Sequence, residues 1–191
     1  TIYMFLDSSA INFVCNLFPD AASTILNQYH NAGIPGLTKH YSTNGMLLAV
    51  GTMIFGSYQA YLKRYARKNN LKLVSICLYQ SWCDLNINCH PLEFSSYIQF
   101  SECVYTTTFH GTIFTLLNHK NCAIYSCSKK LKDLLEWTHK EEAMLSLTAT
   151  YDEFESLITK QHSYELFETI IEKKRKESQK IYIDALKSCE V

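Results

Sequence analysis

In the middle of the chain, continuous apolar stretches alternate with stretches in which apolar residues recur every three or four positions. The continuous stretches are typical of strands buried on both faces of a sheet. They lie at 46–55, 71–78, 103–107 and 121–126. Strands alternating with helices of about ten residues predict βαβ units. We therefore predict an α/β fold, a Rossmann-like parallel sheet with helices on both faces.

The periodic stretches predict the helices of this fold. They are expected at 57–70, 91–100, 111–119, 129–137 and 152–159, with a long C-terminal helix at 163–187. The charged run at 172–177 is interpreted as a solvated face of that long helix. Residues 1–44 fit the alternation less well, and Gly33, Pro35 and Gly36 are typical of a linker. We predict an N-terminal extension, or a remnant of a preceding domain with its linker, at 1–44, and a Rossmann-like C-terminal domain at 45–191.

Composition narrows the classes of partner. Lys and Arg total 18, and Asp and Glu also total 18, so the formal net charge is zero. A chain without a basic field is a poor candidate for binding nucleic acid or anionic lipid. No apolar run approaches the roughly 18–20 residues that span a bilayer. The opening residues 1–7 are too short for a signal peptide and lack a basic leader. We expect a cytoplasmic protein without a transmembrane segment.

The eight cysteines are interpreted as reduced thiols. Those at 77, 103 and 122 lie in apolar runs, where a thiol acts as a small hydrophobic group. The nearest resemblance to a metal site is Cys83, Cys89 and His90, but a second ligand pair at the spacing of a closed zinc site is missing. We expect neither a metal nor a cofactor.

The junction at 101–114 carries the strongest signal for chemistry. A predicted strand runs into three threonines, and His110 and Gly111 follow where an apolar helix begins. Ligands of open parallel sheets bind at the carboxyl ends of strands, and the first turn of a helix favours an anion. His110 could donate to a phosphate or transfer a proton. Gly111 and Thr112 would offer N–H groups beside it, and Gly111 would let a ligand or a neighbouring backbone come close. Alternatively, His110 only caps the helix while Thr107 and Thr108 satisfy backbone donors.

The segment 92–128, with Thr-Thr-Phe-His-Gly-Thr between a strand and a helix, resembles the C-terminal part of the polysaccharide pyruvyltransferase family. The helix and strand at 61–76 are similar to a unit of that family, and 129–136 looks like its basic, leucine-rich helix. The resemblance covers about 46–137. It implies a two-domain architecture of the glycosyltransferase-B type, whose N-terminal domain would lie outside this chain.

The resemblance also implies an activity. Phosphoenolpyruvate would donate pyruvate, as a ketal, to a sugar of a cell-surface polysaccharide or to a lipid-linked oligosaccharide. His110 matches the family's histidine, which contacts the donor or acts as acid or base. Many members have Arg where this chain has Thr108, so the donor loses a bidentate partner. Lys129 or Lys130 is a candidate replacement, although solvent-facing positions are an equal alternative.

Position alone adds candidates at other strand ends. Ser57 follows the first strand and would line the cleft, and Tyr79, Gln80 and Ser81 hold the same position after the second strand.

Three functional classes stay open. The first is the transferase. The second is a degenerate, non-catalytic domain that binds a sugar, a nucleotide or a partner protein. The third, a flavodoxin-like or response-regulator-like module, is disfavoured because no Gly-rich phosphate loop occurs and no acidic cluster follows the first strand.

Overall fold

The computed structural model describes residues 45–51, 54, 56–89, 91–126 and 128–188. Contacts between Cα atoms divide the chain into two compact units. One unit spans 42–164, and the described residues of the other are 165–188.

The unit 42–164 is built on a six-stranded sheet in the order β3-β2-β1-β4-β5-β6, and every pairing is parallel. The strands are β1 (Met46–Val50), β2 (Lys72–Ile76), β3 (Leu85–Ile87), β4 (Cys103–Thr106), β5 (Asn121–Tyr125) and β6 (Met144–Leu145). The predicted parallel α/β sheet is thereby confirmed. Parallel neighbours need a crossover between them, which is why helices separate most of these strands in the sequence.

The helices follow the predicted segments closely. Those of the sheet unit are α1 (Gly56–Lys68), α2 (Pro91–Phe100), α3 (Phe109–Leu117), α4 (Lys129–Trp137) and α5 (Tyr151–Thr159), with a 3-10 turn at Glu141–Ala143. In the other unit, α6 (Glu165–Ser188) is the predicted long C-terminal helix. Its charged run 172–177 is exposed throughout, as predicted. Within the described part of the chain, no helix is both long and apolar enough to cross a bilayer.

Both faces of the sheet are covered. On one face, Leu47 and Tyr105 join a buried cluster with Tyr58 of α1 and Phe154 of α5. On the opposite face, α3 packs on β4 and β5 and contacts α2. Successive residues of a strand point to opposite faces, so burial on both sides requires unbroken apolar strands. This explains why β1 is buried along its whole length.

The strand order reverses beside β1. The chain passes from β1 through α1 to β2 on one side, whereas β4 lies on the other side and continues through α3 to β5. Leu48 of β1 is accordingly paired with Val74 of β2 and with Val104 of β4. Such a reversal opens a crevice at the carboxyl ends of the two central strands, and ligands of open α/β sheets bind there.

Two details of the strands differ from the sequence prediction. The first strand was predicted to reach residue 55, but β1 ends at Val50, and Gly51 follows with a φ of 152°. The edge strands β3 and β6 were not predicted, because three and two residues are too few to show a period.

Candidate functional site

The candidate site lies where β1 and β4 end side by side. Val50 pairs with Thr106 in the last register position, and the Thr107 N–H donates to the Val50 carbonyl over 2.9 Å. Gly51 has a positive φ, and a Cβ atom there would come within 1.9 Å of Thr107 Oγ1. Only glycine fits this backbone conformation and this close approach. The Thr107 side chain is therefore buried against the end of β1.

Thr108 begins α3 as its N-cap. Its backbone is extended, with φ −109° and ψ 148°, and its Oγ1 accepts from the Gly111 N–H over 3.0 Å. The Thr112 N–H donates to the Thr108 carbonyl, also over 3.0 Å. The expectation that the N–H groups of Gly111 and Thr112 face an anion is therefore wrong. Phe109 and His110 are the first two helical residues, whose N–H groups have no acceptor within the helix.

Gly111 and Thr112 serve the packing of α3 on the sheet. A Cβ atom at Gly111 would lie 2.4 Å from Thr106 Oγ1 and 3.0 Å from Val50 Cγ1, so the missing side chain lets the helix approach both central strands. Thr112 is fully buried and donates its hydroxyl to the Thr108 carbonyl over 2.9 Å. These two predicted binding residues form the support of the site rather than its surface.

His110 lies on the exposed side of the same turn. Its ring meets the ring of Phe109 edge-on, with centroids 5.8 Å apart. In the alternative interpretation, the cap by His110 is excluded because Thr108 is the N-cap, whereas the expectation that Thr108 satisfies a backbone donor is confirmed by its bond to the Gly111 N–H. The carboxyl end of β4 thus presents an imidazole and two N–H groups in one helical turn.

The two candidate lysines, Lys129 and Lys130, lie at different places on the surface. Lys130 extends its ammonium group over the Phe109 ring, 4.2 Å from the centroid, and so lies on the aromatic side chain that also contacts His110. Lys129 lines a different, open pocket of about 500 Å³ together with Ser128 and Glu136. Ser128 fixes the residue at which α4 begins, because its Oγ accepts from the Leu131 N–H. The start of the helix in turn sets the side to which each lysine points. Of the pair, Lys130 is the cation beside the candidate site.

The loop after β2 joins the same edge. Gln80 donates its Nε2 to the Gly51 carbonyl over 2.9 Å, which ties this loop to the end of β1. Asn86 of β3 holds Gln80 in place by accepting its N–H at 2.6 Å and donating to its carbonyl at 3.1 Å. The exposed Ser57 lies in the first turn of α1, just beyond β1. The sequence made Gln80 a candidate because it follows the second predicted strand. It gave no sign of Asn86, because β3 was not predicted.

Among the described residues, no group of three or more His, Cys, Asp or Glu side chains is placed to hold a metal ion. His90, which belonged to the considered zinc group with Cys83 and Cys89, lies outside the described residues.

Comparison of the chain with protein-family models, with curated proteins and with solved structures gives no match.

Proposed function

We propose that this chain is the donor-binding half of a pyruvyltransferase of the polysaccharide type. It would bind phosphoenolpyruvate at the carboxyl ends of β1 and β4. The observation that carries the proposal is the exposed His110 in the first turn of α3, beside the strand-order reversal and one aromatic ring away from Lys130.

The chemistry of the donor suits this edge. Phosphoenolpyruvate carries a phosphate and a carboxylate, and the positive end of a helix dipole with its open N–H groups stabilises such an anion. Lys130 supplies a point charge in place of the arginine that many family members have two positions before the histidine. In ketal formation the donor's methylene carbon gains a proton, two sugar hydroxyls add to the neighbouring carbon, and phosphate leaves. His110 would donate or accept a proton in one of these steps.

The catalytic role is tested by His110→Ala in the full-length protein. Formation of pyruvylated product from phosphoenolpyruvate and candidate sugars should fall by on the order of 10²–10⁴, the usual scale for a positioned acid or base. His139→Ala is the matched control, because His139 is also exposed but follows the C-terminal end of α4. Helices of a parallel sheet run back against the strands, so that end lies away from the carboxyl edge. Product formation that survives His110→Ala unchanged would remove His110 from the mechanism.

The binding role is tested separately. Phosphoenolpyruvate and inorganic phosphate should shift the NMR signals of the His110 ring, and Lys130→Ala should weaken the binding that these shifts report. Lys129→Ala is its matched control, because Lys129 lines the other pocket. An equal loss in both variants would indicate a diffuse electrostatic effect instead of a site at α3. Unchanged His110 signals at millimolar phosphoenolpyruvate would contradict the proposal.

One observation favours the non-catalytic alternative. Thr108 stands where many family members have Arg, and its hydroxyl is used as the cap of α3. A side chain bound to its own backbone offers little to a donor carboxylate. Binding of phosphoenolpyruvate without product formation in the full-length protein would favour a domain that recognises the donor but does not transfer it.

A further inference from the structure

Two cysteine side chains meet at the other end of the carboxyl edge. Cys77 directly follows β2 and Cys89 lies two residues beyond β3, and their sulfur atoms are 3.4 Å apart. Cys77 is exposed and Cys89 is half-buried. The sequence placed Cys77 in a predicted apolar strand, and it grouped Cys89 only with Cys83 and His90, as a resemblance to a metal site at which no metal was expected. The structure instead places Cys77 and Cys89 in contact.

The backbone around Cys77 fixes this contact. Ile76 pairs with Ile87 in the parallel sheet, and the Cys77 N–H donates to the Ile87 carbonyl over 2.9 Å. Cys77 then turns into the left-handed region, with a φ of 65°. This conformation is costly for a residue with a Cβ atom. The other non-glycine residues with positive φ in the described part of the chain all follow helices, so Cys77 has a distinct setting.

We propose that Cys77 and Cys89 form a reversible disulfide, which makes the loop between β2 and β3 a redox-modifiable segment. A disulfide bond is about 2.05 Å long, so oxidation requires the two sulfur atoms to close a gap of little more than an ångström. The oxidant is a small-molecule disulfide of the glutathione class. The formation of this bond does not depend on the proposed transfer reaction.

The exchange proceeds in two balanced steps. The Cys77 thiolate attacks one sulfur of the oxidant, which forms a mixed disulfide and releases one thiolate of the oxidant. Cys89 then loses its proton, and its sulfur attacks the Cys77 sulfur, which forms the internal bond and releases the second thiolate. Two electrons pass from the protein to the oxidant, and the two protein protons end on the two released thiols.

The electrostatics assign Cys77 as the first nucleophile. The hydrogen bond from the Cys89 thiol lowers the pKa of Cys77 to about 7. The same contact raises the pKa of Cys89, and burial raises it further. Cys83 of the same loop serves as the comparison for reactivity, because burial raises its pKa to about 12. A thiolate is the attacking species, so Cys77 should react first.

The loop closed by this bond includes Gln80, whose amide holds the Gly51 carbonyl at the end of β1. The bond would tie the β2 and β3 ends of that loop together covalently. Oxidation of Cys77 and Cys89 therefore bears directly on the support of the strand-end edge.

The experiment equilibrates the full chain with glutathione and glutathione disulfide at fixed ratios, blocks free thiols by alkylation, and maps the cysteines by chymotryptic peptides. Chymotrypsin suits this chain because Tyr79, Trp82 and Leu85 separate Cys77, Cys83 and Cys89 onto different peptides. We expect a peptide pair that joins Cys77 to Cys89, with a loss of two hydrogen atoms, and its disappearance on reduction. Joining of Cys83 to either residue, or full alkylation of Cys77 and Cys89 under oxidising conditions, would overturn the proposal.

Three serine variants sharpen the result. Cys83→Ser should leave the cross-linked pair unchanged, whereas Cys77→Ser and Cys89→Ser should each abolish it. In the reduced chain at pH 7, Cys77 should be alkylated on the order of tenfold or more faster than Cys83. Cys89→Ala should erase most of that advantage, because it removes the hydrogen-bond donor, whereas the hydroxyl introduced by Cys89→Ser can still donate to Cys77. A Cys77 rate equal to that of Cys83 in the unaltered chain would contradict the assignment of Cys77 as the first nucleophile.

Discussion

Thr108 and Gly111 act together at the start of α3. The hydroxyl of Thr108 satisfies the N–H of Gly111, and the missing side chain of Gly111 lets the first turn lie against Val50 and Thr106. This support fixes the direction in which His110 leaves the helix. The position of His110 relative to the end of β4 thus depends on Thr108, which is half-buried, and on Gly111, which is buried.

Replacing Thr108 by Ala should lower the free energy of unfolding by about 0.5–2 kcal/mol, because the helix loses its N-cap. Thr108→Ser keeps a capping hydroxyl and should stay close to the unaltered protein. Thr108→Arg introduces the residue that many pyruvyltransferases have at the position that Thr108 resembles, but it removes the cap, so it should be destabilised like the alanine variant. Urea unfolding followed by circular dichroism measures all three. Equal stability of the Ala and Ser variants would contradict the capping role.

At the residue scale, the sequence predicted the strand-to-helix junction but not the orientation of its side chains and N–H groups. The strand–threonine–histidine–glycine order predicted a strand-to-helix junction, and α3 starts there. Which N–H groups remain open depends on the one residue that caps the helix, and periodicity does not resolve a single residue. The choice between Lys129 and Lys130 likewise depends on the phase of α4, which Ser128 fixes by capping.

At the scale of elements, three helices end in the same way. Asn70, His119 and His139 each adopt a positive φ of 52–53° after α1, α3 and α4. After α3, the His119 N–H donates to the Leu116 carbonyl and the next N–H reaches Thr115, which is the Schellman arrangement. This ending closes the helix within two residues, which explains the short connections from α1 to β2 and from α3 to β5, whereas the 3-10 turn follows α4.

His139→Gly should raise the free energy of unfolding by about 0.5–1 kcal/mol, because glycine adopts the left-handed conformation without the Cβ penalty. His119→Gly should gain less or lose stability, because the His119 ring stacks on Tyr164 with centroids 4.5 Å apart. Thermal or urea unfolding of the two variants side by side measures the difference. A larger gain for His119→Gly would contradict this account.

The helices were predictable because each is long enough to show its period, and the central strands because each lies in a continuous apolar run. Observed α2 and α4 coincide with the predicted ranges. The edge strands β3 and β6 owe their existence to pairing with β2 and β5, which is a long-range contact that local patterns do not contain.

At the scale of the whole sheet unit, the Glu142 carboxylate contacts the side-chain nitrogens of two lysines and a histidine. Its carboxylate lies 2.6 Å from Lys160 Nζ, 3.1 Å from His162 Nδ1 and 3.9 Å from Lys140 Nζ. Lys140 and His162 are almost fully buried, and Lys140 also donates to the Ser163 carbonyl. The cluster therefore joins the 3-10 turn before β6 to the segment that follows α5.

Glu142→Gln should lower the free energy of unfolding near pH 7 by about 1 kcal/mol, because the partly exposed carboxylate loses its charge beside buried partners. The hydrogen bond from Lys160, helped by His162, holds the pKa of Glu142 below its ordinary 4.5. A depressed carboxyl pKa contributes stability above that value, and this contribution is lost as the pH falls below about 4.5. The difference between the unaltered protein and Glu142→Gln should therefore vanish in acid. The exposed neighbour Glu141→Gln is the control, and a pH-independent difference would contradict the ionic role of Glu142.

The hydrogen bond from the indole of Trp82 to Gln80 Oε1, 2.9 Å long, has an optical consequence. The chain contains two tryptophans, and Trp137 is 43% exposed, so its emission reports mainly on water. Trp82 is half-buried in the loop between β2 and β3. It is hydrogen-bonded to Gln80, whose amide donates to the Gly51 carbonyl after the end of β1. Its fluorescence is therefore a native label on that loop. In a Trp137→Phe background, a change in colour or intensity would follow the strand-end edge in real time without any attached dye.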